Sequence, residues 1–170
     1  MIAAAGLGAG VYQATGSLES AIAAGAAEAF MDIDHVIEHV LTSHRPFCLK
    51  TFLARYNTLD WPRMVFLLHS YECILLLGAL AWYLSWRWLW AAALGVAIHV
   101  IMDEIGNRLP SAPARMAPWF YFFSFRLRHG FRTEAFLWPD KEFYESEYYR
   151  EAVRATHRLR TPRHLGEVKT

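Results

Sequence analysis

The run FMDIDHVIEHV, residues 30–40, places Asp32, Asp34, His35 and His39 within eleven positions beside alanine-rich sequence. Two later apolar stretches each pair an imidazole with a carboxylate: His69 with Glu72 in HSYE, and His99 with Asp103 in HVIMD. Carboxylate oxygens and neutral imidazole nitrogens together suit zinc, manganese or iron. An ion held by such donors can lower the pKa of water to about 7, which makes hydrolysis at neutral pH the natural chemistry.

The elements that carry these groups must bring them together, because an ionisable side chain at the centre of a membrane helix costs about 2.5 to 3.5 kcal/mol. Residues 64–84, MVFLLHSYECILLLGALAWYL, and 88–106, WLWAAALGVAIHVIMDEIG, each predict a helix able to cross a hydrocarbon core of about 30 Å. SWRW between them predicts a tight antiparallel hairpin turn with interfacial tryptophans. Counted from Trp86, His69 lies 17 residues back and Asp103 17 forward, Glu72 14 back and His99 13 forward. The four therefore reach one level, roughly 20 to 25 Å from the turn. Lys50, Arg55 and Arg63 precede the hairpin and Arg108, Arg115, Arg126, Arg128 and Arg132 follow it, against Arg87 alone in the turn. The positive-inside bias puts that level at the cytoplasmic end.

Upstream, Gly16, a Ser17 cap and an early Glu19 predict one helix of about 25 residues ending near Thr42. On it Glu28, Asp32, His35 and His39 share a stripe, with Asp34 alongside. Asp32, Asp34 and His35 join the ligand candidates, His39 reads as an outer or solvated residue, and Glu28 as a deeper hydrogen-bonding partner. Residues 44–63 and 110–118 read as Pro-bounded loops. In the first, His44 and Arg45 stand over the expected site, where an arginine can clamp a phosphate, although an ordinary positive-inside charge explains it as well. Residues 119–132 mix aromatics with cations, as suits an interfacial segment, and the charged run after Pro139 predicts a solvated helix. Gly78 and Gly95 predict close helix packing. Residues 1–16 lack the basic flank of a signal peptide, and their Ala/Gly run is short for a span.

At 170 residues the chain fits one domain, and 55% hydrophobic with 15% aromatic residues exceeds what a soluble core of this size needs. The net charge of +1 gives no argument for a nucleic-acid partner. Cys48 and Cys73 form no CxxC pair, so cysteine supplies neither a framework nor a zinc knuckle.

MDIDH, LLHSYE and GVAIHVIMDEIGN together resemble the small bacterial and archaeal membrane-bound metal-dependent hydrolases of the YdjM-like family. That family's pattern is P-D-x-D-H, then H-S, then G-x-x-x-H-x-x-x-D. The matches are Asp32, Asp34 and His35, then His69 and Ser70, then Gly95, His99 and Asp103. Met31 replaces the usual proline, and the H-R pair at His44 and Arg45 stands more than twenty residues before His69, as in a divergent member. The resemblance implies a protein of the prokaryotic inner membrane and, through distant similarity to zinc-dependent phospholipases, a lipid-like or phosphoester substrate.

The expectation is an all-α integral membrane bundle: residues 1–132 a membrane helical domain with the metal site, residues 133–170 a cytoplasmic C-terminal helical tail. Asp34, His35, His69, His99 and Asp103 are the core ligands of a divalent cation, zinc first, with manganese or iron as alternatives. Asp32 is a further ligand, Glu72 a ligand or general base, and Arg45 or Arg108 a group for developing charge. Membrane lipids are the expected surroundings, and the oligomeric state is open. The alternative is a non-enzymatic metal-binding or transport protein; the apolar runs toward Arg87 offer no groups to relay an ion. Haem ligation by His69 and His99 would leave Glu72 and Asp103 without a purpose.

Overall fold

The computed structural model describes residues 2–43, 47–58, 61, 63–108, 115–138, 147 and 150. Within these the chain is all-α, with helices α1 (Ile2–Thr15), α2 (Leu18–Ala29), α3 (Ile33–Ser43), α4 (Leu49–Thr58), α5 (Tyr71–Leu84), α6 (Arg87–Gly106) and α7 (Phe123–Arg128). One minimal antiparallel ladder pairs β1 (Arg115–Met116) with β2 (Leu137–Trp138).

Small residues let the helices approach closely. Gly16, at φ 66°, turns the chain between α1 and α2, and the Ser17 hydroxyl then accepts the Ser20 N–H to cap α2. A side chain at Gly25 would bring its Cβ within 3.0 Å of the Ala4 carbonyl oxygen, so α1 and α2 pack backbone to backbone. The other face of α2 lies along α6, where a Cβ on Gly95 would come within 2.3 Å of the Ala24 carbonyl oxygen. Gly95 fulfils its expected packing role; at Gly78 a Cβ would only meet the Trp90 ring at 3.6 Å, an ordinary contact. The helix α5 returns antiparallel to α6 through Ser85, held at φ 55°, with Trp86 and Trp88 stacked at the turn.

Of the described helices, α6 alone, with 20 residues, is long and apolar enough to cross a membrane. The apolar α5 has 14 residues, about 21 Å. The expected single helix over 64–84 begins only at Tyr71, because the N–H groups before it bond elsewhere. Met64 N–H donates to Phe131 O, those of Val65 and Phe66 to the Glu38 carboxylate, that of Leu68 to Asp34, and Tyr71 N–H to Tyr121 O. Phe66 sits at φ 34°, and Ser70 caps α5 by accepting the Cys73 N–H.

The expected helix over 18–42 is likewise two helices. It breaks at residues 30–32, where Met31 is buried in the main core with Trp61, Met64, Val100, Tyr121 and Phe136. The first expected loop contains the helix α4, and the aromatic stretch 119–132 is helical only over α7. Most of the expected loop 110–118, and all but residues 147 and 150 of the charged tail expected to form a helix, lie outside the described residues.

Candidate metal centre

Three chain segments converge at the ends of α2 and α6. The break after α2 sets Asp32 ahead of α3, whose first turn carries Asp34 and His35; the segment before α5 supplies His69; and α6 supplies His99 and Asp103 one turn apart. Asp32 Oδ1 faces three imidazoles at once, 3.6 Å from His35 Nε2, 3.6 Å from His69 Nε2 and 3.7 Å from His99 Nε2. Asp103 Oδ2 lies 3.4 Å from His69 Nε2 and 3.6 Å from His99 Nε2.

These separations are too long for hydrogen bonds. They match the donor-to-donor spacing of about 3.3 to 3.6 Å around a four-coordinate ion with bonds of about 2.0 to 2.2 Å. His69 Nε2 and His99 Nε2 are buried and have no hydrogen-bond partner. The donors form two overlapping triads, Asp32–His35–His69 and His69–His99–Asp103. Since an imidazole nitrogen has one lone pair, the shared His69 Nε2 fits a single ion rather than two.

The opposite ring nitrogens are held in place. His69 Nδ1 lies 3.0 Å from Asp34 Oδ2, and His99 Nδ1 lies 3.0 Å from the Glu28 carbonyl oxygen. A proton on each Nδ1, donated to these acceptors, leaves each Nε2 lone pair directed at the cluster. Arg126, wholly buried, donates from Nη2 to the His69 carbonyl at 3.0 Å and stacks over the Phe120 ring at 4.9 Å. Glu38, through the Val65 and Phe66 N–H groups, holds the same segment from α3.

The imidazoles of His69 and His99 beside it hold the Asp32 carboxyl well below the usual carboxylate range. Burial disfavours a charge on His69, but Asp103, Asp32 and Asp34 more than reverse this and push the ring up to about 11. Burial, with His69 beside it, pushes His35 down to about 4. Burial also lowers Arg126 to about 10, against the support of Asp34, Glu72 and Glu38. Without a cation the carboxylates thus retain a proton on His69; a divalent ion can take its place.

The structure brings together Asp32, His35, His69, His99 and Asp103, and it separates the two N-terminal aspartates, both expected as ligands. Asp32 faces the cluster, whereas Asp34 orients His69. Glu72 stands apart, its carboxylate accepting the Phe123 N–H at 2.8 Å and the Ser124 N–H at 2.9 Å at the start of α7. It is placed to cap that helix rather than to bind the ion or move a proton. Glu28 contributes its carbonyl. His39 is buried among the rings of Phe47, Phe52 and Trp61 rather than solvated. Asn107 donates to the Tyr121 hydroxyl, and Arg108 pairs with Glu104. His44 and Arg45 lie outside the described residues.

Sequence reasoning missed Glu38 and Arg126. The first sits inside the run that opened the argument, one turn after Asp34; the second is hidden among cations that read as interfacial. No family model, curated protein or solved structure matches the chain.

Proposed function

We propose that this chain is an integral membrane metal-dependent hydrolase, with a single divalent cation, zinc first, held by ligands drawn from Asp32, His35, His69, His99 and Asp103. The observation that carries the reading is the pair of buried imidazole nitrogens, His69 Nε2 and His99 Nε2, without a hydrogen-bond partner and facing two carboxylates at ligand spacing. A cation bound there supplies Lewis acidity and a lowered pKa for water. Asp34 and the Glu28 carbonyl hold the two ring tautomers, and Arg126 fixes the backbone of His69. The imidazoles are buried while Asp32 and Asp103 are 54% and 35% exposed, so a molecule from outside reaches the cluster on its carboxylate side. That open side favours catalysis over storage of the ion.

The membrane reading is supported by the length and composition of α6 and by the outward display of Leu75, Leu76, Trp82 and Tyr83 on α5. Proximity of the site to a bilayer, and the resemblance to YdjM-like proteins, favour a lipid-like or phosphoester substrate at the cytoplasmic face.

Elemental analysis of detergent-purified protein beside a folded His99→Ala/Asp103→Ala variant tests the metal. About one equivalent of zinc, manganese or iron in the wild type, lost in the variant, is expected. A wild type that takes up none of the three on reconstitution removes the reading. Screening the loaded protein against phosphodiesters and phospholipids then separates a hydrolase from a metal-binding or transport protein.

A further inference from the structure

The helix α3 is amphipathic with its polar face turned inward. Asp34 and Glu38 are buried, and their carboxylates hold the segment before α5. On the other face Ile33, Ile37 and Leu41, spaced four residues apart, are all exposed, Leu41 by 70%, and so is Phe30 just before the helix. A helix packed on a core with its back to water shows the reverse order. This apolar face begins at the metal centre, because Ile33 follows Asp32 directly. On α6, the one described helix long and apolar enough to cross a membrane, the exposed Ile105 lies two residues after Asp103. The apolar surfaces of α3 and α6 therefore both reach the level of the cluster.

Charge says which kind of apolar partner covers this face. The exposed Arg63 and Arg132 stand opposite each other in an antiparallel bridge, and two residues on the Val65 N–H donates to Glu38 of α3. Like charges so placed repel, and among the described residues the arginine that pairs with a carboxylate is Arg108. An apolar helix face beside unpaired cations matches the boundary of a bilayer, where acyl chains meet anionic headgroups. Twofold pairing of this face with a second copy of the chain would bring the same cations together instead. Resting on the membrane reading above, we propose that the face of α3 formed by Ile33, Ile37 and Leu41 beds in the boundary layer of the bilayer, with Arg63 and Arg132 at the headgroup phosphates of anionic phospholipid. The metal centre then stands at that boundary, where a lipid reaches its carboxylate side without leaving the membrane.

The test uses the full-length chain with Cys48→Ser and Cys73→Ser, reconstituted in vesicles of phosphatidylcholine and phosphatidylglycerol. A nitroxide is attached at Ile37→Cys or Leu41→Cys and, as a reference on α5, at Leu75→Cys. Electron paramagnetic resonance reads its collisions with oxygen, which concentrates in lipid, and with a water-soluble nickel chelate. Oxygen collisions should exceed those of the chelate at all three positions. The excess on α3 should shrink when phosphatidylglycerol is omitted, and Arg63→Gln/Arg132→Gln should abolish that dependence. Chelate in excess at Ile37 and Leu41 but not at Leu75 overturns the proposal and leaves the membrane reading standing. Chelate in excess at all three removes both. Spin–spin broadening at Ile37 that disappears on dilution with unlabelled protein places a second copy on the face and overturns the proposal too. An oxygen excess on α3 that is indifferent to phosphatidylglycerol overturns the headgroup contact.

Discussion

Asp34 Oδ2 accepts at once from the backbone N–H of Leu68 at 3.1 Å and stands 3.0 Å from Nδ1 of His69, so one carboxylate fixes both the path of the chain into His69 and the tautomer of its ring. Asp34→Asn tests the second role. An amide that keeps its oxygen toward the Leu68 N–H offers Nδ1 a neutral acceptor in place of a charged one, which loosens the ring and lowers its strength as a ligand. Metal affinity should fall about 10- to 100-fold, as read by competition with a chelator of known affinity, while the helical content stays as in the wild type.

The pH dependence of the metal-free protein follows from two rings with opposite shifts. His69 is raised from 6.5 to about 11, so its contribution to stability is complete below about pH 6.5 and fades as pH rises toward 11. His35 is lowered to about 4; its contribution is complete above pH 6.5 and is lost as pH falls toward 4. Chelator-treated protein should therefore lose thermal stability between pH 6.5 and 9, and His69→Gln should flatten that slope. Because a ligand imidazole must be neutral, metal uptake at pH 7 should release at least the proton held by His69, measurable by calorimetry in buffers of different ionisation enthalpy.

Gly95→Ala should be costly and Gly6→Ala should not. The new Cβ at 95 meets the Ala24 carbonyl oxygen at 2.3 Å and the Ala27 Cβ at 3.1 Å, whereas at Gly6 nothing lies within 4 Å. Separating α2 from α6 displaces the Glu28 carbonyl from His99, so the first variant should lose about 2 kcal/mol in denaturant unfolding and weaken metal binding. The second should be neutral or slightly stabilising.

Glu72→Ala separates a capping role from a ligand role. Metal content should be unchanged, while two N–H groups at the start of α7 lose their acceptor and the protein loses about 1 to 2 kcal/mol of stability. Loss of the metal would instead return Glu72 to the ligand set.

The parts legible in the sequence were those fixed by local spacing. His99 and Asp103 lie one turn apart on a true helix, and counting from Trp86 put His69 level with Asp103, where the structure has them 3.4 Å apart. The same reasoning failed for Glu72, because the spacing of HSYE implies one face only if the helix already includes His69. Ser70 instead caps α5, leaving His69 outside it. The break between α2 and α3 was also illegible. Val65, Phe66 and Leu68 are drawn out of helical pairing by Glu38 and Asp34, side chains about 30 residues away, and no periodicity within either segment records such a capture. The helix α4 was hidden in polar sequence between prolines.

The five donors come from three stretches of chain, residues 32–35, 69 and 99–103, and one ion joining them would close two loops of about 30 residues each. Disulfides play that part in other proteins; here Cys48 and Cys73 are both free. Cross-linking distant segments removes conformational freedom chiefly from the unfolded chain. The metal-loaded chain should accordingly open less readily: stripping the ion would matter less to the shape of the native helices than to how often the segment carrying His69 lets go of its neighbours.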